Sequence, residues 1–232
     1  MKQGLTLIEL LIVMAVIAIL AALLMSVFRT VRSQAEGTVC LGNLRQMQLA
    51  NSVYGNEWRG RFTPIGYVVT TFGTYAQNSD WPSNKLFLQL ITDGKVNVDS
   101  VSSDQSADFL IGLICPVTRR LSASAYSTLL RKSYAYNTQD PKYPRTVNTL
   151  LGPTMRMPKV SERLTFIDSI GWELTNTFTM TSYTLEDRWD NQVAGVVLRH
   201  RNRANMAFGD GSARSLPWDS RLRKYDSGLW NP

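Results

Sequence analysis

From Leu5 to Phe28 the chain runs for 24 residues with a single charge, Glu9. A helix of that length measures about 36 Å at about 1.5 Å per residue, enough to cross a hydrocarbon core of about 30 Å. A cleaved secretory signal fits poorly, because the segment before the run holds only Lys2, the apolar stretch is long and a carboxylate stands at its start. The expectation is therefore a membrane helix. Its direction is not set by charge, since Lys2 and the amino terminus flank one end and Arg29 and Arg32 the other. Glu9 itself needs an explanation: an ionised side chain at the centre of a membrane helix costs about 2.5–3.5 kcal/mol, and less near a face.

The stretch "MKQG" followed by "LTLIELLIVMAVIAILAALL" resembles the class III signal of type IV pilins and type II secretion pseudopilins. The resemblance implies cleavage between Gly4 and Leu5 by a prepilin peptidase, then methylation of the new amine. Residues 1–4 are then a leader, 5–28 the transmembrane and assembly helix, and 29–232 an extracytoplasmic domain that includes the helix extension to about residue 54. Glu9 becomes the fifth mature residue. A free α-amine has a pKa of about 7.7–8.0, so it is mostly cationic at neutral pH. Buried beside a neighbour's Glu9, each charge offsets the other's desolvation, and a misplaced subunit leaves both unpaired. A carboxylate favoured by the helix dipole is the plainer reading of Glu9. Two departures from the family stand out: Leu5 replaces the usual Phe, and Ala18 and Ser26 replace a helix-breaking glycine and proline. Without proline the helix is expected to run unbroken.

Past Phe28, Cys40, Leu44, Met47 and Tyr54 recur at helical spacing and predict one buried face, with Arg45, Gln46 and Gln48 off it. Gly37 and Gly42 each weaken this helix by about 1 kcal/mol relative to alanine. "GYVVTTFGTYA" reads as a strand, and "SNKLFLQLITDGK" as a short helix from Ser83 to Gly94 with Leu86, Leu90 and Ile91 on one face. "DFLIGLICP", "RLTFIDS" and "VAGVVLRH" read as strands, and "ANMAFGDGSARSL" as a hairpin. One long helix followed by mostly antiparallel strands is an α+β arrangement, pilin-like by the resemblance. The series "CLGNLRQMQLA", "ICP", "RLTFIDS", then His200 and, nine residues on, Asp210-Gly211, is similar to the H-x9-DG type of pseudopilin-like protein.

No residue pattern calls for catalysis. His200 is the lone histidine, and no HExxH, nucleophile elbow or glycine-rich phosphate loop accompanies it. Assembly energy would come from a separate ATPase. Asp210-Gly211 is expected to supply the positive-φ residues of a tight turn, with His200 pinning the hairpin by a hydrogen bond. A membrane-tethered enzyme using His200 is the rival reading. No cofactor is expected; Asp104 with Asp108, or Asp187 with Asp190, could hold calcium, but neither pair lies in a dense ligand loop.

Net charge is +7, and the basic concentration "RHRNR" with Arg214, Arg221, Arg223 and Lys224 reads as solvated strand edges. A DNA-capturing minor pilin, with Trp218 stacking on bases, is the alternative, although nucleic acid is not the favoured partner. Cys40 and Cys115 show no zinc spacing. An extracytoplasmic domain would join them in a disulfide, and two buried thiols are the other possibility. The expected partners are the prepilin peptidase, other pilin-like subunits including copies of itself, an inner-membrane assembly platform and the lipid bilayer. The expected place is the bacterial inner membrane, single-pass with the N-terminus cytoplasmic, then a filament or the cell surface.

Overall fold

A computed structural model describes residues 6–57, 63, 68–69, 76–77, 81, 85–92, 112–121, 133–137, 164–169, 171, 173–174 and 195–217. Helix α1 spans Leu7–Glu57 without interruption. It passes Ala18 and Ser26 as expected: Ser26 Oγ donates to the Leu23 carbonyl at 2.8 Å and no backbone bond is lost to a proline. The helix has two halves of different character. Leu7 through Phe28 expose their apolar side chains, whereas Cys40, Leu44, Met47, Ala50 and Tyr54 are buried against the domain.

The sequence pattern placed that face correctly but left out its polar members. Asn43, Gln48 and Asn51 are buried with the apolar residues, and Gln48 is a correction to the reading that put it outside. Each amide reaches a group the sheet or its loops present. Asn43 Nδ2 donates to Leu113 O at 3.0 Å and Tyr134 Oη at 3.2 Å. Asn51 Nδ2 donates to Tyr136 Oη at 3.3 Å, and Gln48 Nε2 donates to Gly209 O at 3.3 Å. Buried polar groups are stable when paired in this way.

The "GYVVTTFGTYA" stretch, read as one strand, gives two short ones, β1 (Val68–Val69) and β2 (Ala76–Gln77), paired antiparallel. Helix α2 (Lys85–Ile91) is the expected short helix, but its buried residues are Phe87 and Leu88; of the predicted face Leu90 and Ile91 are partly buried, and the Leu86 side chain lies outside the described residues. Its proposed cap Ser83 and stop Gly94 lie outside the described residues. "DFLIGLICP" is not a strand where it is described. Residues 112–115 form a turn that leads into α3 (Pro116–Leu121), with Arg119 N donating to Cys115 O at 3.0 Å. Proline at the first helical position starts a helix readily, since its missing N–H has no partner there anyway.

The main sheet holds β3 (Tyr134–Asn137), β4 (Leu164–Asp168), β5 (Glu173–Leu174), β6 (Arg203–Phe208) and β7 (Ala213–Pro217), in the order β5-β3-β4-β6-β7. Its four longer strands are antiparallel neighbours, and β5 joins β3 in parallel. This is the expected α+β class. Alternation sends Tyr134, Tyr136, Phe166 and Ala207 toward α1 and α2, where Trp81 and Phe87 pack edge-on and stacked on Phe166. Ala135, Leu164, Ile167, Met206 and Phe208 form a second core on the other face, closed by Val196 and Leu198. In its described part, residues 195–200, "VAGVVLRH" meets the sheet through isolated bridging, Val196 with Ser169, rather than as a strand.

Candidate functional site

The N-terminal end comes first in the chain. Thr6 and Glu9 form a reciprocal cap: Glu9 Oε2 accepts from Thr6 N at 2.8 Å and Thr6 Oγ1 at 2.9 Å, and Glu9 N donates to Thr6 Oγ1 at 3.3 Å. This is the Thr-x-x-Glu capping box, a signal visible in "TLIE" that the dipole argument only approached. Both bonds to the carboxylate fall on one oxygen. Gly4 and Leu5 lie outside the described residues.

The second constellation lies where the spine meets the sheet. Cys40 on α1, Cys115 before α3, Asp168 at the end of β4 and His200 are all buried. Cys40 Sγ and Cys115 Sγ are 2.7 Å apart and unbonded. His200 Nε2 lies 3.6 Å from Cys115 Sγ and 3.6 Å from Asp168 Oδ2. Asn205 N donates to Asp168 Oδ2 at 2.8 Å, while Asp168 Oδ1 and His200 Nδ1 are buried without a hydrogen-bond partner. Arg199 lies beside them, its guanidinium donating to Ser133 O at 2.7 Å and Ser169 O at 2.6 Å.

Electrostatics divides the two sulfurs. Burial raises the Cys115 thiol, but hydrogen bonds from Cys40 and His200 and the charge of Arg199 outweigh it and hold the group well below the ordinary thiol range. Burial, reinforced by Cys115, pushes Cys40 up. Burial also raises Asp168, to about 7, against the pull of His200 and Arg199. Burial lowers His200, but Cys115 and Asp168 together overcome it, and its pKa rises.

Cys40, Cys115 and His200 offer three ligand atoms within 4.8 Å of one another. Two thiolates on one tetrahedral zinc stand about 3.8 Å apart, given bonds of about 2.3 Å. The observed sulfur separation of 2.7 Å is much shorter. The pair is therefore placed better for reaction with each other than for sharing a metal. The carboxylates considered for calcium, Asp104, Asp108, Asp187 and Asp190, lie outside the described residues.

Two expectations about the closing motif need correction. The His200 ring does not pin the 208–213 hairpin; it points into the cysteine–aspartate cluster. Asp210 serves the hairpin instead, its Oδ1 accepting from Ser212 N at 2.8 Å, and of the pair only Gly211 has positive φ, at 84°. Gly211 N donates to Phe208 O and Phe208 N to Ser212 O, each at 2.9 Å, so the loop is a three-residue turn with a left-handed last residue. The two-residue positive-φ turn lies earlier, at Arg201 (56°) and Asn202 (60°), closed by reciprocal His200–Arg203 backbone bonds. The run "RHRNR" is thus split, with Arg199 and His200 buried and Arg201, Asn202 and Arg203 exposed. Arg214 is exposed and lies over the Phe208 ring at 5.0 Å, while Trp218, Arg221, Arg223 and Lys224 are outside the described residues.

Asp168, Arg199 and Tyr134 were missed as members of the cluster. A carboxylate closing the apolar run "LTFID" was the one signal for Asp168.

Comparison with known protein families matches residues 1–25 to the prokaryotic N-terminal methylation motif. No curated protein and no solved structure matches the chain. The motif and the exposed apolar half of α1 fit a membrane-anchored, type IV pilin-like chain that is processed by prepilin peptidase and assembles with other pilin subunits.

Proposed function

We propose that the chain is a non-enzymatic structural subunit of a type IV pilus-like or type II secretion pseudopilus-like filament. It would sit in the inner membrane with its leader in the cytoplasm, be cut between Gly4 and Leu5, and join the filament through the apolar half of α1. The observation that carries this reading is the methylation motif over residues 1–25, set on a helix whose first half exposes its apolar side chains. Such a surface has two natural partners, lipid tails before assembly and other copies of the same helix after it. The H-x9-DG likeness belongs to the same proposal. The burial of His200, Cys115 and Asp168 supports the non-enzymatic reading over a role for His200 in catalysis.

Glu9 has two tasks in this account. One oxygen caps its own helix through Thr6; the other is left for the methylated amine of a neighbouring subunit. The charge, and not the cap alone, would set the register.

Replacing Glu9 by Gln separates the tasks, since an amide oxygen can still accept from Thr6 but carries no charge. The Glu9→Gln protein is expected to insert and be processed normally while filament yield collapses. Normal filaments from Glu9→Gln would refute the register role.

We also take Cys40 and Cys115 to be joined in the mature protein, because an extracytoplasmic compartment is oxidising and the two sulfurs face each other in the core.

A further inference from the structure

The described arginines are unevenly placed along the axis of α1. Arg29 and Arg32 follow directly on the apolar half and are exposed. Arg119 and Arg120 close α3, and Arg120 NH1 pairs with Glu36 of α1, which Arg32 Nε also meets at 3.0 Å. The residues flanking the Arg201–Asn202 turn, which Arg203 follows at the start of β6, reach α1 one residue further on. There Asn205 Nδ2 donates to Gly37 O at 3.1 Å, and the His200 ring packs 3.5 Å from where a Gly37 Cβ would stand. Three separate segments thus bring six exposed arginines to one end of the domain.

With the apolar half of α1 in a bilayer, as proposed above, that end would face the membrane. Glu36 and Gly37 lie eight and nine residues beyond Phe28, so they stand about 12–14 Å past the apolar half along the helix. Headgroups occupy about 5–8 Å on each side of the hydrocarbon core. The arginines therefore hang within about one Debye length of the headgroup phosphates, which is about 8 Å at physiological salt. Among the side chains described, the acids at this end are Glu36, already held between Arg32 and Arg120, and Asp168, which is buried beneath His200 and Asn205. The exposed acids Asp210 and Glu57 lie toward the far end, Asp210 in the hairpin that meets Gln48.

We propose that Arg29, Arg32, Arg119, Arg120, Arg201 and Arg203 form a cationic collar that docks the domain on anionic phospholipid headgroups of the leaflet from which α1 emerges. The collar rests on the membrane-anchored reading given above. It explains why "RHRNR" points its second half outward at this height, where strand-edge protection is not needed: the residues Arg201 and Asn202 form a turn. Docking would hold the subunit upright against the bilayer and release it when α1 is drawn into a filament. Guanidinium groups suit this task, since they pair with phosphate through two parallel hydrogen bonds. DNA offers the same phosphate chemistry, but it would not explain why the charges gather where the apolar helix ends.

The test uses the full chain in lipid nanodiscs, either zwitterionic phosphatidylcholine or a mixture with phosphatidylglycerol, each with a trace of headgroup-spin-labelled lipid. Amide signals of Arg119, Arg120 and residues 200–203 are expected to broaden several-fold more in the anionic discs. Raising salt to about 0.5 M is expected to abolish the difference, because screening then acts over about 4 Å. Replacing Arg119, Arg120, Arg201 and Arg203 by Gln is expected to abolish it as well, while Arg214→Gln leaves it intact. Equal broadening in both discs overturns the collar. So does duplex DNA that displaces the contact from the lipid at equal phosphate concentration, which would assign the arginines to nucleic acid. A chain that fails to enter the discs at all overturns the membrane reading and the collar together, a failure distinct from insertion without lipid preference.

Discussion

Closing Cys40 to Cys115 should change stability by an amount the chain itself sets. The two residues are 75 apart in sequence. In the chain-entropy account, cross-linking a loop of that size removes about 15 cal/mol/K from the unfolded ensemble, or about 4.5 kcal/mol at 25 °C. The native side is prepared for the bond, because both sulfurs are buried and already adjacent, and Tyr134 and Asn43 fix the helix against the β3 strand beside them. The perturbation is reduction of the full chain in detergent micelles, with Cys40→Ser, Cys115→Ser and the double variant as controls. The assay is urea unfolding followed by tryptophan fluorescence. With a slope of about 2 kcal/mol/M, the oxidised midpoint is expected about 2 M above the reduced one. Because the link is a single bond, either serine variant alone is expected to lose the gain from oxidation, and the double variant to lose no more of it. Two free thiols per chain in protein purified from the cell envelope, or oxidised and reduced midpoints that coincide, would refute the reasoning.

Gly42 lies inside α1 with nothing within 4 Å of where a Cβ would stand, so Gly42→Ala is expected to stabilise the helix by about 1 kcal/mol; an unchanged or lowered melting temperature would contradict this. Asp168 and His200 predict a pH dependence with one sign. The folded-state pKa of Asp168, about 7, exceeds the unfolded value of about 3.9, so the native chain holds the proton more tightly and stability falls as pH rises between them. His200 is also raised, so its contribution is present below about pH 6.5 and lost as pH rises through its folded value. Oxidation removes the Cys115 thiol that helps to raise His200, so melts of the oxidised chain read Asp168, whose burial remains, and should run higher at pH 5 than at pH 8. Asp168→Asn is expected to flatten that slope, and identical slopes in the two proteins would show that Asp168 does not carry it.

The long helix was legible in the sequence because its cues are local. A long apolar run with one charge predicts the exposed half, and Cys40, Leu44, Met47 and Tyr54 predict the buried half. Gln48 and Asn51 were harder to place, since a buried amide is decided by its partner, here Gly209 O and Tyr136 Oη, which lie far along the chain. The strand assigned around Cys115 failed for a different reason: apolar content alone does not distinguish a strand from a buried turn, and Pro116 as a helix-starting residue was the better cue. "YAYN", the β3 strand, carries its own cue in the two tyrosines, since aromatic residues favour strands. Cys40 and Cys115 could be paired from the sequence, but the groups that surround them could not. Asp168, Arg199 and His200 become one cluster through the β4–β6 register and the turn at Arg201-Asn202, and neither is written in a contiguous motif.

The central claim is that the chain is processed as a pilin-like subunit and used in that form. Intact-mass measurement of the protein recovered from sheared surface filaments tests it most directly. The account predicts one species that lacks Met1–Gly4, begins at Leu5 and carries one additional methyl group on its amine. Assembled protein that still retains Met1 would contradict it.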